Sequence, residues 1–351
     1  MARYFDSLSI FHWLFLLIGF VMTVVGALIP ESTPTTSIGP SEQVSLTISP
    51  GGNTTMADRP AIIRPVVVRP ATGRPVVHRQ TVVRDGISYD GEFGDDLTGS
   101  GTMTWPDQQV YRGEIATGQP HGKGNMLFVD GRSYSGELNL GRLHGQGEMH
   151  WPDGSFYKGQ FISGVVAGQG DYTSAIGDRF QGQFVDEQPH GRGTLTSHNG
   201  DIYMGEVVFG VIQGSGTLAF ADGSVYQGAF VAGRMQGQGE RTWPDGNSYS
   251  GQFQNDNFHG HGVATFSDGG TYEGEFVAGK PHGEGHRRWP DNSIYRGYWD
   301  KGLREGTGSM TFPDGDRYVG DFKADKMHGV GHCISNGIEK PCTYFNGERL
   351  D

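Results

Sequence analysis

An aromatic residue followed two positions later by glycine recurs along this chain at Tyr89, Tyr111, Tyr134, Tyr157, Phe180, Tyr203, Tyr226, Tyr249, Tyr272, Tyr295 and Tyr318. The first step is 22 residues and the other nine are 23. A fixed step of this length means one small unit stacked many times, each copy touching only its neighbours. Composition excludes the alternatives. A hydrophobic fraction of 35% is too low for one large core in 351 residues. With 20 Phe, 14 Tyr and 6 Trp, the chain is too aromatic to stay unfolded. The 59 glycines do not recur at every third position, which excludes collagen.

Residues 134–156 read YSGELNLGRLHGQGEMHWPDGSF. Tyr134, Gly136 and Leu138 alternate with Ser135 and Glu137, the period of a strand with one buried face. After a turn near Gly141, the residues Gly145, Gly147, Met149 and Trp151 alternate with Gln146, Glu148 and His150 and predict a second strand. Pro152-Asp153-Gly154 closes the unit with turn chemistry. Each unit is therefore a β-hairpin, which alone buries too little surface to be stable. Glycines on the aromatic face leave slots for a Tyr or Trp ring from a nearby strand, and ring burial offsets the cost of glycine in a strand. The fold class that follows is all-β, an elongated single-sheet array of about eleven 23-residue hairpins. At about 4.8 Å per strand it is roughly 100 Å long.

The pattern Tyr-x-Gly-x-Phe-x-x-Gly-x-x-His-Gly-x-Gly, then Asp-Gly, resembles the MORN (membrane occupation and recognition nexus) repeat. Residues 272–294 carry nearly all of it in Tyr272, Gly274, Phe276, Gly279, His282, Gly283, Gly285 and Asp291, with Asn292 in place of the last glycine. The resemblance covers residues 89–342 and implies a β-hairpin array used as a scaffold that associates with membranes or proteins. Similar repeats are appended to catalytic domains such as lipid kinases and methyltransferases, but no segment here has room for one. Some units depart from the pattern. Ser174, Ser197 and Ser335 replace the aromatic before the closing turn, and Ala167 replaces the histidine. Val165-Val166 and Val211-Ile212 suggest a bend or an exposed apolar strip for a partner in the middle of the array. The array spans residues 85–342. Residues 343–351, with Tyr344 and Phe345, form a C-terminal cap beside a candidate disulfide between Cys333 and Cys342.

The first 84 residues differ in character. Residues 1–9 form a short tail, and no residue from Ile10 to Ile29 is charged. At 1.5 Å per residue this run spans about 30 Å and predicts a transmembrane helix or signal anchor, with Trp13 near one interface and Pro30 at its end. A cleaved signal peptide ending near Val25-Gly26-Ala27 competes, giving a secreted protein. The run is longer than an ordinary h-region of roughly 7–15 residues. Arg3 precedes the run and no Lys or Arg follows before Arg59. A single-pass chain with its repeats on the non-cytoplasmic side is therefore expected. A cysteine pair in the last repeat fits the same oxidising side. Residues 30–84 hold eight of the 17 prolines and read as a disordered linker. In it Arg59, Arg64, Arg69, Arg74, Arg79 and Arg84 recur every five residues. They are the candidate contact for anionic lipid or an envelope polymer, with a soluble spacer as the plainer reading.

The segments also differ in charge. Residues 1–84 hold seven Arg against four acids, whereas 85–351 hold 20 Lys/Arg against 35 Asp/Glu. The acidic body excludes nucleic acid as its partner. Within it, His121, His144, His190, His259, His282 and His328 share one repeat position, about 10 Å apart and too far for a common metal ion. Glu92, Glu114, Glu137, Glu206, Glu275 and Asp321 form a solvated ladder on the face opposite the rings, one acid per hairpin and too few for calcium. Eight turn aspartates from Asp107 to Asp314 are explained by turn geometry. No catalytic set, cofactor site or metal site stands outside the repeat, so no enzyme activity is expected. The partners expected are the membrane, through the apolar run, and unidentified proteins. A second copy, pairing at the sheet's open edges, is also expected.

Overall fold

The computed structural model describes residues 78–351. The expectations for the tail, the apolar run and Arg59, Arg64, Arg69 and Arg74 lie outside the described residues. Those described form one antiparallel sheet of 25 strands, β1 to β25 in chain order, with no helix among them. Every strand pairs with the next, from β1 (His78–Arg84) and β2 (Ile87–Phe93) to β24 (Ile338–Phe345) and β25 (Glu348–Arg349). At about 4.8 Å per strand the sheet extends about 115 Å. The eleven repeats supply β2 to β23 (Lys326–Ser335), and β1, β24 and β25 extend the sheet at its two ends.

β1 takes seven residues that the composition of 30–84 assigns to the linker. No proline lies between Pro75 and Arg84; Thr81, Val82 and Val83 are β-branched, and Asp85 and Gly86 turn the chain with φ of 53° and 80°. Two consecutive left-handed residues make the type I′ turn, whose twist matches the flanking strands.

Within the repeats, β6 (Ser133–Asn139) and β7 (Arg142–His150) show how a hairpin is made. Leu140 and Gly141 repeat the type I′ geometry. Pairing runs from Asn139↔Arg142 to Glu137↔His144, skips Gly145 and Gln146, and resumes at Gly136↔Gly147. Gly145 sits in this bulge at φ 62°, which glycine adopts without strain. The two glycines of His-Gly-x-Gly thus differ in function. The first permits the bulge, and the second lies opposite Gly136 beneath the Tyr134 ring.

The ring that covers each glycine pair comes from the hairpin that owns the pair, so that Tyr134 of β6 lies over Gly136 on its own strand and, as expected, over Gly147 on the neighbouring strand β7. The bulge makes this possible, because the Tyr134 hydroxyl reaches back to donate to the Glu137 carbonyl at 2.7 Å. Nine tyrosines, from Tyr111 to Tyr318, make this bond to the residue three positions on, at 2.7–3.1 Å. Units then lock to each other through edge-on rings. Phe161 lies 5.3 Å from its own unit's Tyr157 and 5.1 Å from Tyr134 of the unit before. The resulting rank of buried rings is the core, and it occupies one face of the sheet.

Candidate binding surface

Because the rings seal one face, binding chemistry is confined to the other face and the two long edges. On the open face lie the alternate side chains, such as Ser135, Glu137, Gln146 and Glu148. The exposed apolar side chains of the central hairpin, β12 (Ile202–Val208) and β13 (Val211–Ala219), point the same way: Ile202, Met204, Val208 and Val211. Beside them runs a shallow open groove of about 710 Å³, lined in part by Thr194, Met204, Ser215, Thr217, Gln227 and Ala229. Ala229 stands where other repeats carry Glu114, Glu137, Glu206 or Glu275. The groove is therefore a patch without carboxylates on an acidic face, with Arg192 as the one charged residue of its lining and Met204, 51% exposed, in its wall.

Half of the expected apolar strip is not on the surface. Val166 and Ile212 are buried in the ring core at the position of Pro120, Leu143 and Pro189, while Val165 is half-buried and Val211 is 40% exposed. Adjacent residues on a strand face opposite ways, so a Val-Val or Val-Ile pair puts only one side chain outside. The units lacking a ring at Ser174 and Ser197 are closed by polar contacts. The Asp178 N–H donates to Ser174 Oγ at 3.0 Å, and Asp178 Oδ1 accepts the His198 N–H at 2.7 Å.

The remaining candidates are placed as follows. Cys333 and Cys342 are joined in a disulfide between β23 and β24. Arg79 and Arg84 are exposed on β1. All eight turn aspartates from Asp107 to Asp314 accept the N–H of the residue two positions on. Three of the repeat histidines meet the neighbouring hairpin: His190 packs on Phe209 at 4.8 Å, His328 on Phe345 at 5.5 Å, and His282 pairs with Asp300 at 3.4 Å. Among the ladder acids, Glu114 accepts the Lys123 N–H at 3.2 Å, beside the bulge glycine Gly122. Among the described residues no three His, Cys, Asp or Glu side chains are grouped to hold a metal ion, and no helix is long and apolar enough to cross a membrane.

The arginines in the ring layer escape the repeat pattern. Arg241, 6% exposed, stacks 4.3 Å from Phe220 and 4.8 Å from Trp243 and donates to Ser224 Oγ at 3.1 Å. Arg287 lies 3.7 Å over Phe266. Burial pulls both guanidinium pKa values down from their usual range. Both residues occupy the register position of Met149, so a charge at a core position was the readable signal. Burial also pushes the Tyr111, Tyr203, Tyr249 and Tyr295 phenols up to about 12, which keeps the hydroxyls protonated as donors.

Comparison with known proteins gives a consistent family result. The family model described as MORN repeat matches residues 89–110, 111–131, 134–156, 157–179, 180–202, 203–225, 226–248, 249–271, 272–294, 295–317 and 318–337. No curated protein matches the chain. Among solved structures, the TCP10 domain of Danio rerio CPAP in complex with a STIL peptide is 16% identical, covering 67% of this chain and 93% of that one at a TM-score of 0.29. Virginiamycin B lyase from Staphylococcus aureus is 12% identical, covering 78% and 86% at a TM-score of 0.13. At such scores neither likeness bears on the function of this chain.

Proposed function

The chain belongs to the MORN repeat family, and on that premise we propose that it is a non-enzymatic, membrane-tethered scaffold that presents the open face of its sheet to protein partners. One observation carries the reading. The sheet is continuous and closed by rings on one side, while its acidic open side holds a groove without carboxylates, lined by Arg192, Met204 and Thr217 among others, with Ile202 and Val208 exposed on the strand of Met204. A mixed polar and apolar patch of this kind suits a protein surface better than an anionic one. The uncharged run of residues 10–29 supplies the tether, and the Cys333–Cys342 bridge supports a non-cytoplasmic location for the repeats.

A photo-reactive residue at position 204 of the full membrane-bound chain tests the reading. Discrete protein adducts are expected, and Ala229→Arg should abolish them while leaving the β-sheet circular dichroism unchanged. Adducts with lipid alone, or adducts indifferent to Ala229→Arg, would overturn it. A second reading rests on the five-residue arginine spacing, with phospholipid or another polyanion bound through Arg59, Arg64, Arg69 and Arg74 and the repeats acting as spacer. Co-sedimentation with anionic vesicles that falls steeply with salt, and is lost on changing these four residues to Gln, is its signature.

A further inference from the structure

We propose that strand β1 is a pairing edge for a second copy of this chain, and that two rods join there head to head about a two-fold axis at Thr81. The two ends of the sheet are built differently. At the C-terminal end, the Asn336-Gly337 turn makes Ser335↔Ile338 the innermost pair of β23 and β24. Glu339, Pro341 and Thr343 therefore turn their backbone outward. Pro341 has no N–H to offer. Thr343 is already engaged by the chain end, its carbonyl accepting the Leu350 N–H at 2.9 Å and its N–H donating to Asp351 Oδ1 at 3.1 Å. The disulfide to Cys333 and the short strand β25 complete the closure. This end is protected in the ways that sheets protect their edges.

The N-terminal end has none of these devices among the described residues. Arg84↔Ile87 is the innermost pair of β1 and β2, so β1 bonds β2 through His78, Gln80, Val82 and Arg84. The N–H and C=O groups of Arg79, Thr81 and Val83 point out of the sheet and pair with no described residue. β1 carries no proline and no bulge, and Val83 is 70% exposed. The edge is also self-complementary. A two-fold axis at Thr81 sets Thr81 against Thr81 and Arg79 against Val83 in both directions. All three outward residues of each copy then meet in hydrogen-bonded positions, giving about six bonds. Arg79 meets a valine rather than a second arginine, which avoids like charges directly opposite each other. Val82, packed against the ring core, would continue that core into the second copy.

The residues before β1 make a poor alternative. Pro60, Pro65, Pro70 and Pro75 are five apart, so along an extended strand they alternate sides. A strand containing two of them turns one missing N–H towards β1. The closed C-terminal end in turn limits the assembly to a dimer instead of a filament.

The test weighs the full-length chain in detergent and compares it with Thr81→Pro. The Thr81 N–H points away from β2, so this change leaves the hairpin of β1 and β2 intact while removing central bonds of the new interface. The expected mass is two chains for the unaltered protein and one for Thr81→Pro, with identical circular dichroism. Thr81→Cys should oxidise to a covalent dimer, since hydrogen-bonded partners lie about 5.5 Å apart, whereas Glu339→Cys at the closed end should not. Three results would overturn the proposal. One is an unaltered chain that stays monomeric as concentration rises. Another is a dimer that survives Thr81→Pro. The third is a monomer whose Arg79, Thr81 and Val83 amides resist hydrogen exchange, which would place this chain's own segment on the edge.

Discussion

A methyl group added at Gly262 would sit 2.6 Å from carbons of the Tyr249 ring, and neither the ring nor the opposing Gly251 backbone can retreat. Gly262→Ala is therefore expected to cost about 1–3 kcal/mol in urea denaturation, the range for overpacking a filled core. Tyr249→Phe keeps the ring and loses the hydroxyl's bonds to the Gln252 carbonyl at 2.9 Å and the His259 carbonyl at 3.4 Å, for about 1–2 kcal/mol. The same burial predicts an alkaline limit. A phenol whose folded pKa is raised above its unfolded value stabilises the fold below about pH 10, and the contribution is lost as pH climbs through the folded value. With Tyr111, Tyr203, Tyr249 and Tyr295 pushed up to about 12, stability should be flat to about pH 10 and fall between 10 and 12. Tyrosinate absorbance should rise late and together with loss of the sheet signal. Titration near pH 10 with the sheet intact would show that the rings are not sealed.

The hairpin is the element at which sequence and structure meet most closely, and its limits show what a linear pattern conveys. Alternation in residues 134–156 identifies both strands and the buried face, and Asp153-Gly154 identifies the closing loop, where the Ser155 N–H bonds Asp153 Oδ1 at 2.8 Å. Alternation does not reveal register. Gly145 and Gly147 look equivalent in the sequence, yet one occupies a bulge and the other lies under a ring. The open face was legible as the side of the acids, but its carboxylate-free groove arises from Met204, Ala229 and Thr217 on separate strands brought together by pairing. β1 was hidden because its valines sit in a proline-rich neighbourhood. At the far end, Cys333→Ser should loosen β24 and the β25 that pairs with it, and no earlier repeat. Closing a loop of sequence separation 9 stabilises by about 2–3 kcal/mol in the chain-entropy account. Hydrogen exchange should quicken in residues 338–345 and remain unchanged in β6 and β7.

As a whole the molecule is a one-dimensional array, and its stability is a sum over units and their interfaces. Removing residues 226–248, one complete repeat, should leave a folded sheet shortened by two strands, about 10 Å in solution scattering. A collapse of the entire sheet would mean that the units are not interchangeable. The proposed function adds a spatial order to the array, in which an anchor and a basic spacer would hold the rod on the non-cytoplasmic side. A reporter active only outside the cytoplasm, fused after Asp351 so that every strand is left intact, tests this most directly. An active reporter and an oxidised Cys333–Cys342 pair are expected. A silent reporter with both thiols free would contradict this order and turn the arginine segment towards the anionic inner leaflet.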